Sequence, residues 1–354
     1  MKGINWLLIF LPVAILAELL HWGDLLIFIT SALAIVPLAG LLGVATEALA
    51  EKTGPRLGGL LNASLGNAAE LIITIFAIQA GRMELVKASI IGSILGNILL
   101  VMGLSILVGG LKHGLQKFNR SHAGLDATMM ILAVIALSVP SFFNTAIEPD
   151  KLRVEEFSLA TSAAILLIYG LSVVYALKGR SVDEHPVGLT VEPSHTGPRW
   201  SVRQALLVLG LSVVGIAIMS EFLVGSVEVV TTTLGLSEFF VGIVIVPLIG
   251  NIAEHLVAVQ VALKNQMDLS LSIAVGSSLQ IALFVAPVLV FLSLLLGNPL
   301  TLEFNNFELV AMMAASIIAA FISLDGESNW LEGAMLLVVY VILALAFFFL
   351  PVRV

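Results

Sequence analysis

Two glutamates in matching surroundings are the residues of this sequence best suited to bind an ion. The segment Gly66-Asn-Ala-Ala-Glu70 recurs as Gly250-Asn-Ile-Ala-Glu254, at an offset of 184 residues. Both glutamates lie deep inside long apolar segments, where a carboxylate costs at least ~2.5 kcal/mol and usually marks an ion or proton pathway. The alternative is a protonated glutamate that is hydrogen bonded to a neighbouring helix. Because two glutamates occupy matched positions, we favour the ion pathway.

Oxygen-bearing side chains accompany both glutamates at helical spacing. Asparagines stand three residues before each glutamate, so each pair shares one helix face. Ca²⁺ takes about 6–8 oxygen ligands from carboxylates, amides, backbone and water, whereas zinc or copper prefers His and Cys. The sequence therefore predicts a hard-cation site, with proton binding at the two glutamates. Its predicted ligands are Glu70, Glu254, Asn67, Asn251, Ser93, Ser277, Gln280, Asn97, Gly66 and Gly250.

Glycines beside these polar side chains have two interpretations. Local unwinding of the helices would turn backbone carbonyls toward an ion. Close helix packing of the small-residue type is the alternative, and both can hold at once. The glycines concerned are Gly66, Gly92, Gly250 and Gly276.

Four further residues are weaker candidates, for gating or ion access. Glu47 and Glu228 are roughly equivalent under the repeat, each toward an opposite mouth, and Glu221 lies in the same segment as Glu228. Interfacial glutamates are common, so a purely structural role is the alternative. His255 departs from the repeat, where Leu71 takes its place. It could relay protons, or pack and hydrogen bond between helices.

Composition places the chain in a membrane. Of 354 residues, 59% are hydrophobic and 11% are charged, and the mean hydropathy is +1.10. A soluble fold could not cover itself with so few charges. A net charge of −8 without a basic stripe excludes a nucleic-acid partner. The absence of cysteine excludes disulfides, thiolate metal sites and cysteine nucleophiles.

About eleven apolar segments are long enough to span a bilayer as helices. They cover residues 4–20, 24–48, 57–80, 84–111, 123–144, 153–178, 201–234, 238–263, 268–297, 305–324 and 330–350. The first could instead be a signal peptide, but Glu18 interrupts it, so we favour a retained helix. If all eleven segments cross the membrane, the loops between them lie alternately on its two sides. One side then carries 11 Lys and Arg and the other carries 5. The positive-inside rule then puts the N-terminus in the cytoplasm and the C-terminus outside.

The repeated motif indicates a duplicated chain. The expected fold is an all-α polytopic membrane protein with one extra helix and two five-helix repeats. An odd number of spans gives the second repeat inverted topology, which is typical of transporters. The predicted boundaries are residues 1–23 for the extra helix, 24–178 for the first repeat, 179–200 for a cytoplasmic linker and 201–354 for the second repeat.

The two motifs resemble the signatures of a known family. Gly-Asn-Ala-Ala-Glu-Leu-Ile at 66–72 and Gly-Asn-Ile-Ala-Glu-His at 250–255 look like those of the cation/proton exchangers, calcium/proton antiporters of the calcium/cation exchanger superfamily. The stretch 264–280 and Ser-Glu-Phe at 220–222 are similar to the same family. The resemblance runs from about residue 30 to near the C-terminus.

The resemblance implies an alternating-access carrier that exchanges Ca²⁺ for protons and self-associates. Its signature glutamates correspond to Glu70 and Glu254, and its supporting polar positions to Asn67, Asn251, Ser93, Ser277 and Gln280. Ca²⁺ and protons are then substrates, the bilayer is the surrounding partner, and no cofactor is expected. The expected location is a prokaryotic plasma membrane.

Three other functions are weighed against this one. A sodium/calcium exchanger of the same superfamily is the nearest, although that branch has a second motif without the Glu-His pair. An intramembrane metalloprotease would need His-Glu-x-x-His, which the chain lacks, so we expect no enzyme. An ion channel is the third, and saturable countertransport would exclude it.

Overall fold

The protein is almost entirely helical in the computed structural model, which describes residues 4–53, 58, 61, 64–146, 150–178 and 200–350. A two-residue antiparallel ladder joins β1 (Gln116–Lys117) to β2 (Glu327–Ser328). Eleven apolar helices occupy the described ranges: α1 Asn5–Leu19, α2 Asp24–Thr53, α3 Ala68–Gln79, α4 Met83–His113, α5 Arg120–Ala146, α6 Lys151–Lys178, α7 Val202–Leu234, α8 Glu238–Ala262, α9 Met267–Leu295, α10 Asn306–Ser323 and α11 Trp330–Phe349.

These helices confirm the predicted all-α membrane fold. Within the described ranges, nine of them are long and apolar enough to cross a membrane, and α1 and α3 are shorter apolar helices. The first helix, α1, is followed by five helices of the first repeat (α2–α6) and five of the second (α7–α11). The third predicted segment begins at residue 57, whereas α3 begins at Ala68, because a turn at Gly66 and Asn67 precedes it.

Three helices contain π-helical stretches, in which each backbone bond spans five residues instead of four. They are Gly96–Val101 in α4, Val241–Ile245 in α8 and Ile281–Val285 in α9. At the offset of 184 that relates the two motifs, residues 97–101 of the stretch in α4 correspond to residues 281–285, the whole stretch in α9. The duplication therefore extends to an irregularity of the backbone as well as to side chains.

The chain divides into two compact units, each of which takes helices from both sequence halves. The first unit comprises residues 1–89, 191–253 and 345–354. In it α2 and α7 pack along each other, and α3 packs against α7. Ala48 and Leu49 of α2 form a small buried cluster with Ala205 of α7.

The second unit comprises residues 90–190 and 254–344. Here α5 packs against α10 and against the first half of α9, and α6 packs against the second half of α9. The Ser141 hydroxyl of α5 donates to Leu302 O at 3.2 Å and accepts from Phe304 N at 2.8 Å. This pair of bonds fixes the polar segment that leads into α10.

Several sequence predictions fall outside the described residues. Residues 179–199 of the predicted linker are among them, as are five of the basic residues that decide the predicted orientation: Lys2, Arg56, Arg180, Arg199 and Arg353. The orientation and the four domain boundaries stay predictions.

Candidate ion-binding site

Glu70 lies in the first turn of α3, directly after the break at Gly66 and Asn67. The first backbone N–H groups of a helix have no partner within the helix, and the helix dipole there favours negative charge. Glu70 and Asn67 are 3% and 2% exposed, so both are removed from solvent within the protein. Thr74, which shares their helix face, donates its hydroxyl to Glu70 O at 2.7 Å and so bonds to its own helix.

The second motif approaches this carboxylate through its glycine. A Cβ atom placed on Gly250 would lie 3.0 Å from Glu70 Oε1 and 3.1 Å from Glu70 Cδ. Glycine thus leaves the carboxylate room that a side chain would narrow, and the carboxylate would have to shift by a few tenths of an ångström to accommodate a Cβ. Asn251, next in the chain, is 1% exposed. The first unit therefore gathers Asn67, Glu70, Gly250 and Asn251 around buried oxygen atoms.

The second unit gathers another group around Glu254. Ser277 of α9 hydrogen bonds to the Glu254 carboxylate. Asn97 Nδ2 donates to Ser277 Oγ at 3.0 Å, and His255 Nε2 lies 3.2 Å from Asn97 Oδ1. Glu254 Oε2 is buried and has no hydrogen-bond partner among the described residues. Ser93 and Gln280, also predicted ligands, are buried in this unit.

Irregular backbone borders these side chains. Asn97 lies in the π-helical stretch of α4, and Gln280 immediately precedes the stretch of α9. Such widened turns are frequent at functional sites. All four predicted polar residues of α4 and α9 therefore lie within one or two turns of a π-helical stretch.

The four glycines divide between the two interpretations. Gly66 lies in the turn before α3, which agrees with a break in the helix. Gly92, Gly250 and Gly276 lie inside helices. For Gly250 the contact with Glu70 favours close packing.

The three weaker acids lie in different environments. Glu47 is half-buried in α2, and Glu221 is exposed on α7. Glu228, on the same helix, is paired with Arg82 at 2.7 Å, and Arg82 also contacts Glu238 at 3.3 Å. Sequence reasoning missed this cluster, because 146 residues separate Arg82 from Glu228.

Sequence reasoning also missed the link between Asn97 and His255. One signal was available: at the offset of 184 these residues correspond to Ile281 and Leu71, so each is a polar residue whose counterpart in the opposite repeat is apolar. Among the described residues, no group of three or more His, Cys, Asp or Glu is placed to hold a metal ion. That Glu70 and Glu254 share one ion stays a prediction.

Known proteins with similar sequences and structures identify the family. A family model described as sodium/calcium exchanger protein matches residues 24–178 and 204–349. The chain is 46% identical to a Ca²⁺/H⁺ antiporter of Aphanothece halophytica, over 98% of this chain and 96% of that protein. It is 42% identical to the Ca²⁺/H⁺ antiporter ChaA of Bacillus subtilis strain 168, over 96% of both chains.

A solved structure agrees with these sequence matches. The structure of native YfkE is 39% identical, covers 98% of this chain and 100% of its own, and superposes with a TM-score of 0.86. The resemblance drawn from the two motifs is thereby confirmed, and the chain belongs to the sodium/calcium exchanger protein family.

Proposed function

We propose that this protein is a secondary active antiporter that exchanges Ca²⁺ for protons across a membrane. The observation that carries the proposal is the similarity, over 96% or more of the chain, to proteins named Ca²⁺/H⁺ antiporters. The exchange occurs by alternating access, as the repeated architecture of transporters allows. The membrane is a prokaryotic plasma membrane, with the N-terminus in the cytoplasm.

Glu70 and Glu254 together bind either Ca²⁺ or protons. Burial disfavours a charged carboxylate, and a second carboxylate nearby disfavours it further. The empty site therefore holds protons. A bound dication makes the charged forms favourable and expels those protons, so the two substrates compete for the same oxygens. Two carboxylates allow two protons per Ca²⁺ as the simplest stoichiometry.

The surrounding oxygens support this assignment. Asn67 and Asn251 lie beside Glu70 and Gly250, and Ser277 hydrogen bonds to Glu254. Amide and hydroxyl oxygens complete the coordination of a hard cation, which the two carboxylates alone would leave unsatisfied.

Uptake of ⁴⁵Ca²⁺ into proteoliposomes tests the substrate pair. With an acidic lumen and no sodium, we expect saturable uptake that a proton ionophore abolishes. With a sodium-loaded lumen at equal pH on both sides, we expect none. Uptake driven only by sodium would contradict the proposal and indicate the sodium/calcium exchanger alternative. Passive Ca²⁺ flux without either gradient would indicate a channel.

Neutral variants of the two glutamates test the site. We expect Glu70→Gln and Glu254→Gln each to reduce pH-driven uptake to that of empty liposomes, because the amide keeps the shape but neither the charge nor the titratable proton. Glu156→Gln, which changes an exposed carboxylate of α6, is the matched control. Normal size-exclusion profiles confirm folding. Wild-type uptake by either glutamine variant would contradict the assignment.

A further inference from the structure

Four side chains of the second unit form one continuous hydrogen-bonded series that ends at Glu254. His255 Nε2 lies 3.2 Å from Asn97 Oδ1, and Asn97 Nδ2 lies 3.0 Å from Ser277 Oγ. Ser277 then bonds to the Glu254 carboxylate. Three helices contribute: α8 supplies both ends, α4 supplies the asparagine and α9 supplies the serine. Two consecutive residues of α8 are thus connected through two other helices.

When Ca²⁺ is bound and Glu254 is charged, that charge fixes the direction of every bond in the series. A carboxylate only accepts, so the single hydrogen of the Ser277 hydroxyl must point at Glu254. The Ser277 oxygen can then only accept from Asn97, which requires the NH₂ group of the amide to face Ser277. The amide oxygen consequently faces His255, and His255 Nε2 must carry a hydrogen. Neutral imidazole with hydrogen on Nε2 and the imidazolium both satisfy this requirement.

Burial makes the orientation of Asn97 depend on His255. Asn97 is 1% exposed and His255 is 8% exposed, so little water is available to replace either partner. If His255 were apolar, the amide oxygen would lose its donor. The amide could then reverse and accept the Ser277 hydrogen, which would take that hydrogen away from Glu254.

The sequence repeat shows that the residues of this series are matched only in part around Glu70. The glutamates and serines are retained at the offset of 184, as Glu70 with Glu254 and Ser93 with Ser277. The positions of Asn97 and His255 instead correspond to Ile281 and Leu71. At the offset of 184, the counterpart of the series that begins at Glu70 therefore lacks both the asparagine and the histidine, as expected for two residues that act as a pair.

We propose that His255 is a positioning residue for calcium binding: its Nε2–H holds the Asn97 amide in the orientation that makes Ser277 donate to Glu254. One carboxylate oxygen is thereby fixed by Ser277, and Oε2 is left for the ion. Asn97 acts as a link in the series and not as the direct calcium ligand that its sequence position predicts. The inference rests on the proposed calcium binding at Glu254 but not on protons as the exchanged ion.

Variants in which each residue is replaced by the residue at its matching position in the opposite repeat provide the test. The set comprises His255→Leu, Asn97→Ile, the double variant, and His255→Gln, whose amide can still donate. Equilibrium ⁴⁵Ca²⁺ binding to purified protein and the half-saturating Ca²⁺ concentration of pH-driven uptake are measured for each. Normal size-exclusion profiles are required of every variant compared.

We expect His255→Leu and Asn97→Ile each to weaken Ca²⁺ binding at least about fivefold, as for loss of one hydrogen bond to a charged group. The double variant should be no weaker than either single one, and His255→Gln should stay within about twofold of wild type. Maximal uptake velocity should change little. Additive effects, normal binding by His255→Leu, or a defect in His255→Gln equal to that of His255→Leu would overturn the proposal.

If the His255→Leu variant does not fold, NMR of His255 in the wild-type protein still tests the proposal. In ¹⁵N-histidine-labelled protein saturated with Ca²⁺, the His255 resonances, assigned by difference from His255→Gln, should place a hydrogen on Nε2. Hydrogen on Nδ1 alone would overturn the proposal. If wild-type protein binds Ca²⁺ with the expected pattern of variants but does not exchange it for protons, the positioning role is supported and the proposed exchange is wrong.

Discussion

Arg82 joins two acids of the first unit at the turn between α3 and α4. Its guanidinium contacts Glu228 at 2.7 Å and Glu238 at 3.3 Å. Burial lowers the pKa of Arg82, but hydrogen bonds and charge interactions with Glu228 and Glu238 outweigh it, so the pKa is raised above its ordinary value. Arg82 is therefore charged at every pH at which the protein works. Glu228, which the sequence suggests for ion access, forms an ion pair with Arg82 and so also has a structural role.

The two acids should differ in what they contribute to stability. The Glu228 side chain is 70% exposed, so water screens its ion pair, and Glu228→Gln should cost less than about 1 kcal/mol. The Glu238 side chain is 25% exposed, so Glu238→Gln should lower the unfolding temperature more. Thermal unfolding followed by tryptophan fluorescence compares them. Equal shifts would contradict this ranking, and a raised half-saturating Ca²⁺ concentration in Glu228→Gln would restore its role in ion access.

Individual residues were predictable from the sequence only where the repeat marked them. Glu70 and Glu254 stand out because a membrane carboxylate is costly and recurs at a fixed offset. The partners of Arg82 and His255 could not be predicted in this way. They lie 146 to 158 residues away along the chain, and only packed helices bring them within hydrogen-bonding distance.

At the scale of helices, three glycines should respond differently to alanine. Alanine at Gly242 would place Cβ 2.8 Å from Leu85 O and 2.8 Å from Ala88 Cβ, so α8 and α4 must separate at a cost of about 1–3 kcal/mol. At Gly250 the neighbour is the carboxylate of Glu70, which can move. We therefore expect Gly250→Ala to keep most of its stability but to raise the half-saturating Ca²⁺ concentration.

Gly225→Ala is the matched control for both substitutions. Gly225 lies in α7 with no atom within 4 Å of an added Cβ, so alanine should be neutral or stabilise the helix by up to about 1 kcal/mol. Thermal unfolding and calcium uptake are measured for all three variants. A stable Gly242→Ala protein, or unchanged calcium dependence in Gly250→Ala, would show that the helices adjust more easily than expected.

The existence and length of the helices were predictable because bilayer thickness sets a minimum apolar run. Helix α9, for example, was predicted at 268–297 and occupies Met267–Leu295. The π-helical stretches were not predicted, and the turn at Gly66 and Asn67 was marked only by its glycine. Neither feature alters the hydrophobic pattern by which the segments were found.

At the scale of the whole molecule, the orientation in the membrane can be tested by single cysteines, since the chain has none of its own. Ser121 and Lys151 are exposed at the starts of α5 and α6. We expect a membrane-impermeant maleimide to label Lys151→Cys in intact cells and Ser121→Cys only after permeabilisation. We expect this because the loop that contains Ser121 lies on the side with the excess of Lys and Arg, which the positive-inside rule places in the cytoplasm. The opposite labelling pattern would reverse the proposed orientation.

The π-helical stretches of α4 and α9 also affect how related sequences should be aligned. A turn that closes over five residues takes in one residue more than an α-helical turn, and each residue advances the helix by about 100°. Loss of a single residue there would leave the helix intact and swing every later side chain around the axis. Single-residue gaps in distant homologues should therefore be sought at these two places before they are assigned to loops.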